Sequence, residues 1–189
     1  MTCGEPLDRH QFELGRLFAS CRNPAELSDL IRYELLWRHG GIYVDTDSES
    51  IRGLEPLRRY PAFVGGVGGD IQTCVIGAVP GHPAIRAMID RLNEYEEIPH
   101  DRSQPETAGP VIFDEVILAR PDVIVLRSEH FFFPWKWNEK MDRSRITANT
   151  FIVPHWDATW VPKAPMTKRL AGAVYGRFPA VERLRDSMG

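Results

Sequence analysis

Two aspartates, Asp45 and Asp47, stand one residue apart directly after the short apolar run Ile42-Tyr43-Val44. Carboxylates at this spacing can share a divalent cation. Mg²⁺ and Mn²⁺ favour oxygen ligands and commonly complete their shells with substrate phosphates. A cation held there would neutralise the charge that builds on a departing diphosphate. Taken alone, an Asp-Xaa-Asp tripeptide is more often an ordinary solvated turn, so the surrounding elements decide between the two.

Those elements are legible. Asn23 is a good helix cap, Pro24 suits the first helical position, and Glu26 follows the cap by three residues. Leu27, Leu30, Ile31 and Leu35 give helical spacing, and Gly40-Gly41 provides a stop, so a helix is expected over about 24–39. Ile42–Val44 then reads as a buried strand whose end places Asp45 and Asp47 at the carboxyl edge of a sheet, where open α/β sheets bind ligands. Ala62–Val64 and Cys74–Val79 read as strands, with a glycine-rich turn from Gly65 to Asp70 between them. Pro80-Gly81-His82-Pro83 is a second turn leading into a helix at about 84–96, and His82 is a structural residue of that turn. A polar loop over 97–108, a helix at about 110–119, a strand at Val123–Leu126 and an irregular aromatic stretch from Phe131 to Trp137 follow. Phe151–Val153 reads as a last strand and 166–175 as a closing helix. Ahead of the first helix, Phe12, Leu14, Leu17 and Phe18 could form one apolar helical face. Strands alternating with helices define an α/β protein. The expected organisation is an N-terminal extension over 1–22 and one domain over 23–189.

Composition narrows the class. The chain has 189 residues, 43% hydrophobic and 26% charged, as in a globular domain with a sizeable core. The formal charge of −3 argues against a general nucleic-acid coat but leaves room for a local phosphate site. No apolar run is long enough to span a bilayer, and the N-terminus lacks a secretory pattern. Cys3, Cys21 and Cys74 are odd in number and widely spaced, which fits neither a disulfide framework nor a zinc ribbon. A reducing, cytoplasmic setting is expected.

The block SDLIRYELLWRHGGIYVDTDSE, residues 28–49, resembles the signature of glycosyltransferases with a DXD sugar-binding region. That family includes yeast initiating α-mannosyltransferases and bacterial capsular-polysaccharide sugar transferases, and the clostridial glucosylating toxins share its core pattern. VIGAVPGHPAI, TAGPVIFDEVI, FFFPW and PHWDATW resemble further family segments in the same order, so the resemblance runs from about residue 26 to 162. It implies a GT-A-like (Rossmann-like) mixed sheet flanked by helices, a nucleotide-sugar donor, Mn²⁺ or Mg²⁺, and retention at the anomeric carbon. Asp45 and Asp47 match the DXD pair that holds the metal and the donor's diphosphate or ribose. Asp29 and Arg32 match the element that contacts the donor sugar in the toxins. The two share a helix face, and a carboxylate and a guanidinium fork can together bind hydroxyls. Standing alone they would be a surface ion pair of small worth. Tyr43 either faces the nucleotide or belongs to the core.

The late motif aligns His155, Trp156 and Trp160 with the family. His155 is a candidate third metal ligand or diphosphate contact, against a hydrogen-bonded structural histidine. Trp156 or Trp160 could close over the donor, or simply pack. Asp70, Asp114 and Glu115 are candidates for the acceptor side; an exposed helix face explains the last two equally well. Two departures stand out. The family's first β–α unit, which helps to hold the base, is not found ahead of Ser28; a minimal form, a second copy or partner chain that supplies the strand, or a non-catalytic fragment would each account for it. Cys74 stands near a position where the family often has an amide, a role Gln72 could take, and Thr159 replaces the usual Ser. The expected function is metal-dependent, retaining transfer of a hexosyl unit from a nucleoside-diphosphate sugar, a UDP-glucose-like donor favoured, to an acceptor hydroxyl. The alternative is a truncated sugar- or partner-binding module.

Overall fold

The computed structural model describes residues 8–67, 70–126, 129–135 and 139–156. Helix α1 spans Pro24–His39, as its end signals predict. The Asn23 side chain accepts from the Glu26 N–H at 2.9 Å. Glu26 is fully buried, and its carboxylate reaches back to the Arg22 N–H at 2.8 Å, one residue ahead of the cap it was expected to close on. Gly40 ends the helix with φ 62° and ψ −158°, a conformation essentially confined to glycine. A Cβ there would also sit 2.5 Å from Pro80 Cδ and 2.8 Å from the Ala78 carbonyl oxygen.

Strand β1 (Gly41–Val44) follows, then β2 (Ser48–Ser50), β3 (Ala62–Val67) and β4 (Asp70–Ala78). The remaining elements are α2 (Pro83–Asn93), α3 (Gln104–Thr107), α4 (Pro110–Ile117), β5 (Ile124–Leu126), α5 (Glu129–Phe132) and β6 (Ile152–Pro154). The main sheet has the order β1-β4-β3-β5. β4 runs antiparallel to both β1 and β3, and β5 is parallel to β3. β1, β3 and β5 therefore point the same way, and their carboxyl ends share one edge. A separate ladder pairs β2 with β6, Ser48 opposite Pro154 and Ser50 opposite Ile152. The result is the expected mixed sheet flanked by helices.

Several expectations are corrected. β1 is a half-exposed edge strand rather than a buried one. Gly65–Val67 is strand, not turn. A side chain at Gly65 would meet the rings of Phe132 and Phe133, so glycine is there to let aromatic rings lie on the strand. α2 and α4 stop three and two residues earlier than expected, and the polar loop contains α3, closed by a Ser103–Glu106 capping box. α5 occupies the first part of the aromatic stretch. The residues before α1 form two short 3₁₀ turns, Arg9–Gln11 and Gly15–Ser20, instead of one amphipathic helix. Phe12, Leu14 and Leu17 are nevertheless buried, and the Leu14 N–H is held by Glu34 of α1. The closing helix expected at 166–175 lies outside the described residues.

Alternation along the strands sends side chains to two cores. Ala62, Val64, Ile76 and Ala78 join Leu30, Tyr33 and Leu36 of α1, Met88 and Ile89 of α2 and Phe113 of α4. Phe63 and Val75 face the other way, into a cluster with Phe132, Phe133, Phe151 and Ile152. The β3–β4 register slips between Val64, opposite Ile76, and Gly65, opposite Gln72. Thr73, Cys74 and Val75 thus bulge from that pairing, beside the end of β1.

Candidate active site at the carboxyl end of β1

The Gly40–Gly41 corner folds α1 back along the sheet, which lays its Asp29–Arg32 face against the end of β1. The Cys74 carbonyl, in the bulge, accepts the Asp45 N–H at 3.0 Å, and the Ser48 N–H closes a turn onto the Asp45 carbonyl at 3.2 Å. Beyond that turn the Asp47 carbonyl accepts the His155 N–H at 2.8 Å. The Asp45–Asp47 segment is therefore pinned to β4 on one side and to the end of β6 on the other.

Arg32 joins the predicted residues into one network. Its Nη1 donates to the Thr73 carbonyl at 2.9 Å. Its Nη2 lies 2.8 Å from Asp29 Oδ1 and 3.3 Å from Asp45 Oδ1. The guanidinium sits 4.3 Å over the ring of Tyr43, and Tyr43 Oη donates to Asp45 Oδ1 at 2.7 Å. Ser28 Oγ lies 3.0 Å from Tyr43 Oη; since the phenol proton goes to Asp45, the serine donates. Tyr43 is thus part of the site. Burial pushes the Asp29 carboxyl up to about 6 while Arg32 pulls it back, so the pair is ionic at neutral pH. Burial works against the Arg32 charge, but Asp29 and Asp45 outweigh it and hold the guanidinium above its ordinary value. Burial raises the Tyr43 phenol to about 12, which keeps it a hydrogen-bond donor.

The donor set suits a hard cation. Both hydrogen bonds to the Asp45 carboxylate end on Oδ1, so Oδ2 takes none from the described residues. Among those residues no group of three His, Cys, Asp or Glu side chains converges to hold a metal. Asp45 and Asp47 would supply two carboxylates, with substrate phosphate and water completing the shell, as Mg²⁺ sites commonly do. The His155 imidazole lies with Nε2 3.3 Å from Glu49 Oε2. Glu49 also receives both terminal nitrogens of Arg143, which with His155 holds its carboxyl down at about 2.

Trp156 has φ 57°, the only positive value at a non-glycine among the described residues, and its ring stacks on Phe133 at 6.1 Å. Trp160 and Thr159 lie outside the described residues. The Asp114 carboxylate accepts the Ile71 N–H at 3.2 Å and so ties α4 to β4. Asp70 and Glu115 are exposed. Gln72 is half-buried at the register slip. His82 caps α2, its Nδ1 accepting the Ala84 N–H at 3.2 Å, which is the structural role expected of it.

Sequence reasoning missed four participants. Ser28 lies inside the recognised block and could have been found there. Thr73 contributes only a carbonyl, which leaves no side-chain signal. Glu49 is two residues past Asp47, but its partners Arg143 and His155 are far away in the chain. Gln104 donates through Nε2 to Asp29 Oδ2 at 3.0 Å across 75 residues, and nothing local marks it.

The carboxylate pair thus lies at a sheet edge, backed by a buried Asp–Arg pair on the preceding helix. Comparison with known proteins finds likenesses to this region. Residues 6–64 match the family described as glycosyltransferase sugar-binding region containing DXD motif. Mannosyl phosphorylinositol ceramide synthase CSH1 of Saccharomyces cerevisiae is 40% identical over 85 residues, covering 42% of this chain and 22% of that protein. Inositol phosphoceramide mannosyltransferase 3 of Schizosaccharomyces pombe is 37% identical over 71 residues, covering 37% and 20%. The matched stretch spans about a fifth of these relatives. Among solved structures, the PaToxG glycosyltransferase superposes with a TM-score of 0.44 at 22% identity, covering 51% of this chain and 35% of that one. Residues 6–64 are thus similar to the DXD-containing sugar-binding region of glycosyltransferases.

Proposed function

We propose that the protein transfers a hexosyl unit, with retention, from a nucleoside-diphosphate sugar to an acceptor hydroxyl, using Mg²⁺ or Mn²⁺ held by Asp45 and Asp47. The observation that carries this reading is the Arg32-centred network. One guanidinium ties the predicted sugar contact, Asp29, to the first DXD carboxylate, Asp45, at the carboxyl end of β1. In the reaction the bond from the anomeric carbon to the diphosphate breaks, its electron pair leaving on the phosphate oxygen. The acceptor oxygen bonds to that carbon and gives up its proton to the departing diphosphate oxygen. A bound cation would supply electrostatic stabilisation of the departing diphosphate. Asp29 and Arg32 hold the sugar, and the positive field of Arg32 adds to that stabilisation.

The resemblance favours a UDP-sugar donor. A second reading, mannose from GDP-mannose, is favoured by one observation: the yeast relatives carry mannosyl transfer in their names. Proton NMR of donor hydrolysis separates the two. The chain is incubated with Mg²⁺ and each donor, with Mn²⁺ samples chelated before acquisition. Release of one sugar is expected, abolished by EDTA and reduced by at least about 100-fold in Asp45→Asn and Asp47→Asn, with unchanged melting. Near-normal turnover in either variant would remove the metal role. No hydrolysis and no saturation-transfer contact with any donor would leave a non-catalytic module as the better description.

A further inference from the structure

We propose that Gln104 determines donor specificity: together with Arg32 it reads one hydroxyl of the donor hexose. The proposal rests on the donor-site reading above and adds to it a residue from a distant segment. Gln104 opens α3, a single turn fixed by the Ser103–Glu106 capping box. From there its side chain reaches the helix that carries the sugar-contact pair. Asp29 receives Arg32 Nη2 on Oδ1 at 2.8 Å and Gln104 Nε2 on Oδ2 at 3.0 Å. An ionised carboxylate accepts only donors, which sets the amide orientation: nitrogen toward Asp29, Oε1 away from it.

Two polar atoms then remain over. Gln104 Oε1 and Arg32 Nε are both buried and make no hydrogen bond among the described residues. One is an acceptor and the other a donor, and their side chains grip the two oxygens of one carboxylate. Unmatched buried polar atoms are unfavourable, so a group that completes these two gains by doing so. A phosphate offers oxygens that accept but do not donate at neutral pH, and a metal ion offers no hydrogen bond. A hydroxyl donates and accepts at once and satisfies both atoms. A site made to hydrogen-bond a hydroxyl strongly rejects the analogue that lacks it, because its polar groups are then left unpaired. Gln104 therefore distinguishes sugars by a hydroxyl's presence, while Asp29 and Arg32 set where the sugar lies.

The test crosses variants with ligands. Dissociation constants are measured by titration calorimetry for UDP-glucose, GDP-mannose and their 2-, 3-, 4- and 6-deoxy analogues, with Mg²⁺ present. For the wild type, one deoxy position is expected to bind at least about 10-fold more weakly than its parent. Gln104→Leu should weaken the parent by a similar factor and erase the penalty at that one position, leaving the others unchanged. Uniform weakening of parent and all analogues would reduce Gln104 to a support for Asp29 and overturn the proposal. So would unchanged parent affinity, which would mean that water completes the pair. If Gln104→Leu does not fold, Gln104→Asn carries the test, with the loss expected at the same single position. Absence of binding of every donor by the wild type would overturn the donor-site reading together with this one. Donor binding by the wild type with a flat Gln104 result overturns this one alone.

Discussion

Arg32 and Asp29 are almost entirely withdrawn from water, at 5% and 3% exposure, yet both carry charge at neutral pH. Such a pair is costly to desolvate, and removing one partner costs more than the pair contributes. The network of Thr73, Asp45, Tyr43 and Gln104 around it is what compensates that cost. Asp29 also makes a pH signature. Burial raises its folded pKa to about 6, against roughly 3.9 in an unfolded chain. The folded state therefore binds more protons between those values. The stability that Asp29 contributes is fully present below about pH 4 and is lost as pH rises through about 6. Melting of the wild type and Asp29→Asn should show the wild type gaining on the variant as pH falls from 7 to 5. A constant difference across that range would place Asp29 in a more solvated setting. Trp156, at φ 57°, is the other residue whose conformation costs energy, and it too belongs to the motif that the resemblance singled out.

At the scale of elements, α1 is the lever, and Gly40 is its fulcrum. The φ, ψ pair of Gly40 excludes other residues, and Pro80 with the Ala78 carbonyl fills the space a Cβ needs. Gly40→Ala should lower stability by about 1–3 kcal/mol from backbone strain, with the steric contacts adding to it. Because the corner also sets α1 against β1, donor affinity should fall with it. Urea titration beside donor binding checks both; an effect under about 0.5 kcal/mol would show that the corner adapts. This element was legible because Asn23-Pro24, Glu26 and Gly40-Gly41 are local signals whose partners lie within a turn. The slip at Thr73–Val75 was not, since it is a relation between two strands and shows only in which carbonyls it releases to Arg32 and Asp45. Gly65 misled for a related reason. Glycine permits a turn, but here Phe132 and Phe133, more than sixty positions on, require it flat. In the site, the block from Ser28 to Asp47 was readable, whereas Gln104 and Glu49 gain meaning only from residues 75 or more positions away.

For the molecule as a whole, two cores on opposite faces of one sheet divide the labour. The helical side, around Leu30, Tyr33, Met88 and Phe113, supports α1. The aromatic side, around Phe63, Phe132 and Phe151, supports the ladder beyond Asp47. A chain ended after residue 150 should keep the first and lose the second. Hydrogen exchange read by mass spectrometry should show α1 and α2 still protected, with Ser48–Ser50 exchanging freely and donor binding lost. Retained protection at Ser48–Ser50 would mean that β6 is dispensable to the turn. Among the described residues no helix is long and apolar enough to cross a membrane.

The β2–β6 ladder also sets a clock. Glu49 and His155 are 106 residues apart. At a synthesis rate of about 5–20 residues per second, the aspartates leave the ribosome roughly 5–20 s before the strand that clamps them. During that interval α1, β1 and the first corner can already form once β4 has emerged, whereas the turn between Asp45 and Ser48 has only one of its two anchors. A nascent chain is thus able to assemble its arginine and its carboxylates early but not to hold them still. Completion of the Asp45–Asp47 turn waits on translation of the His155 segment, which makes that late stretch the licensing step for a network whose recognisable residues were completed long before.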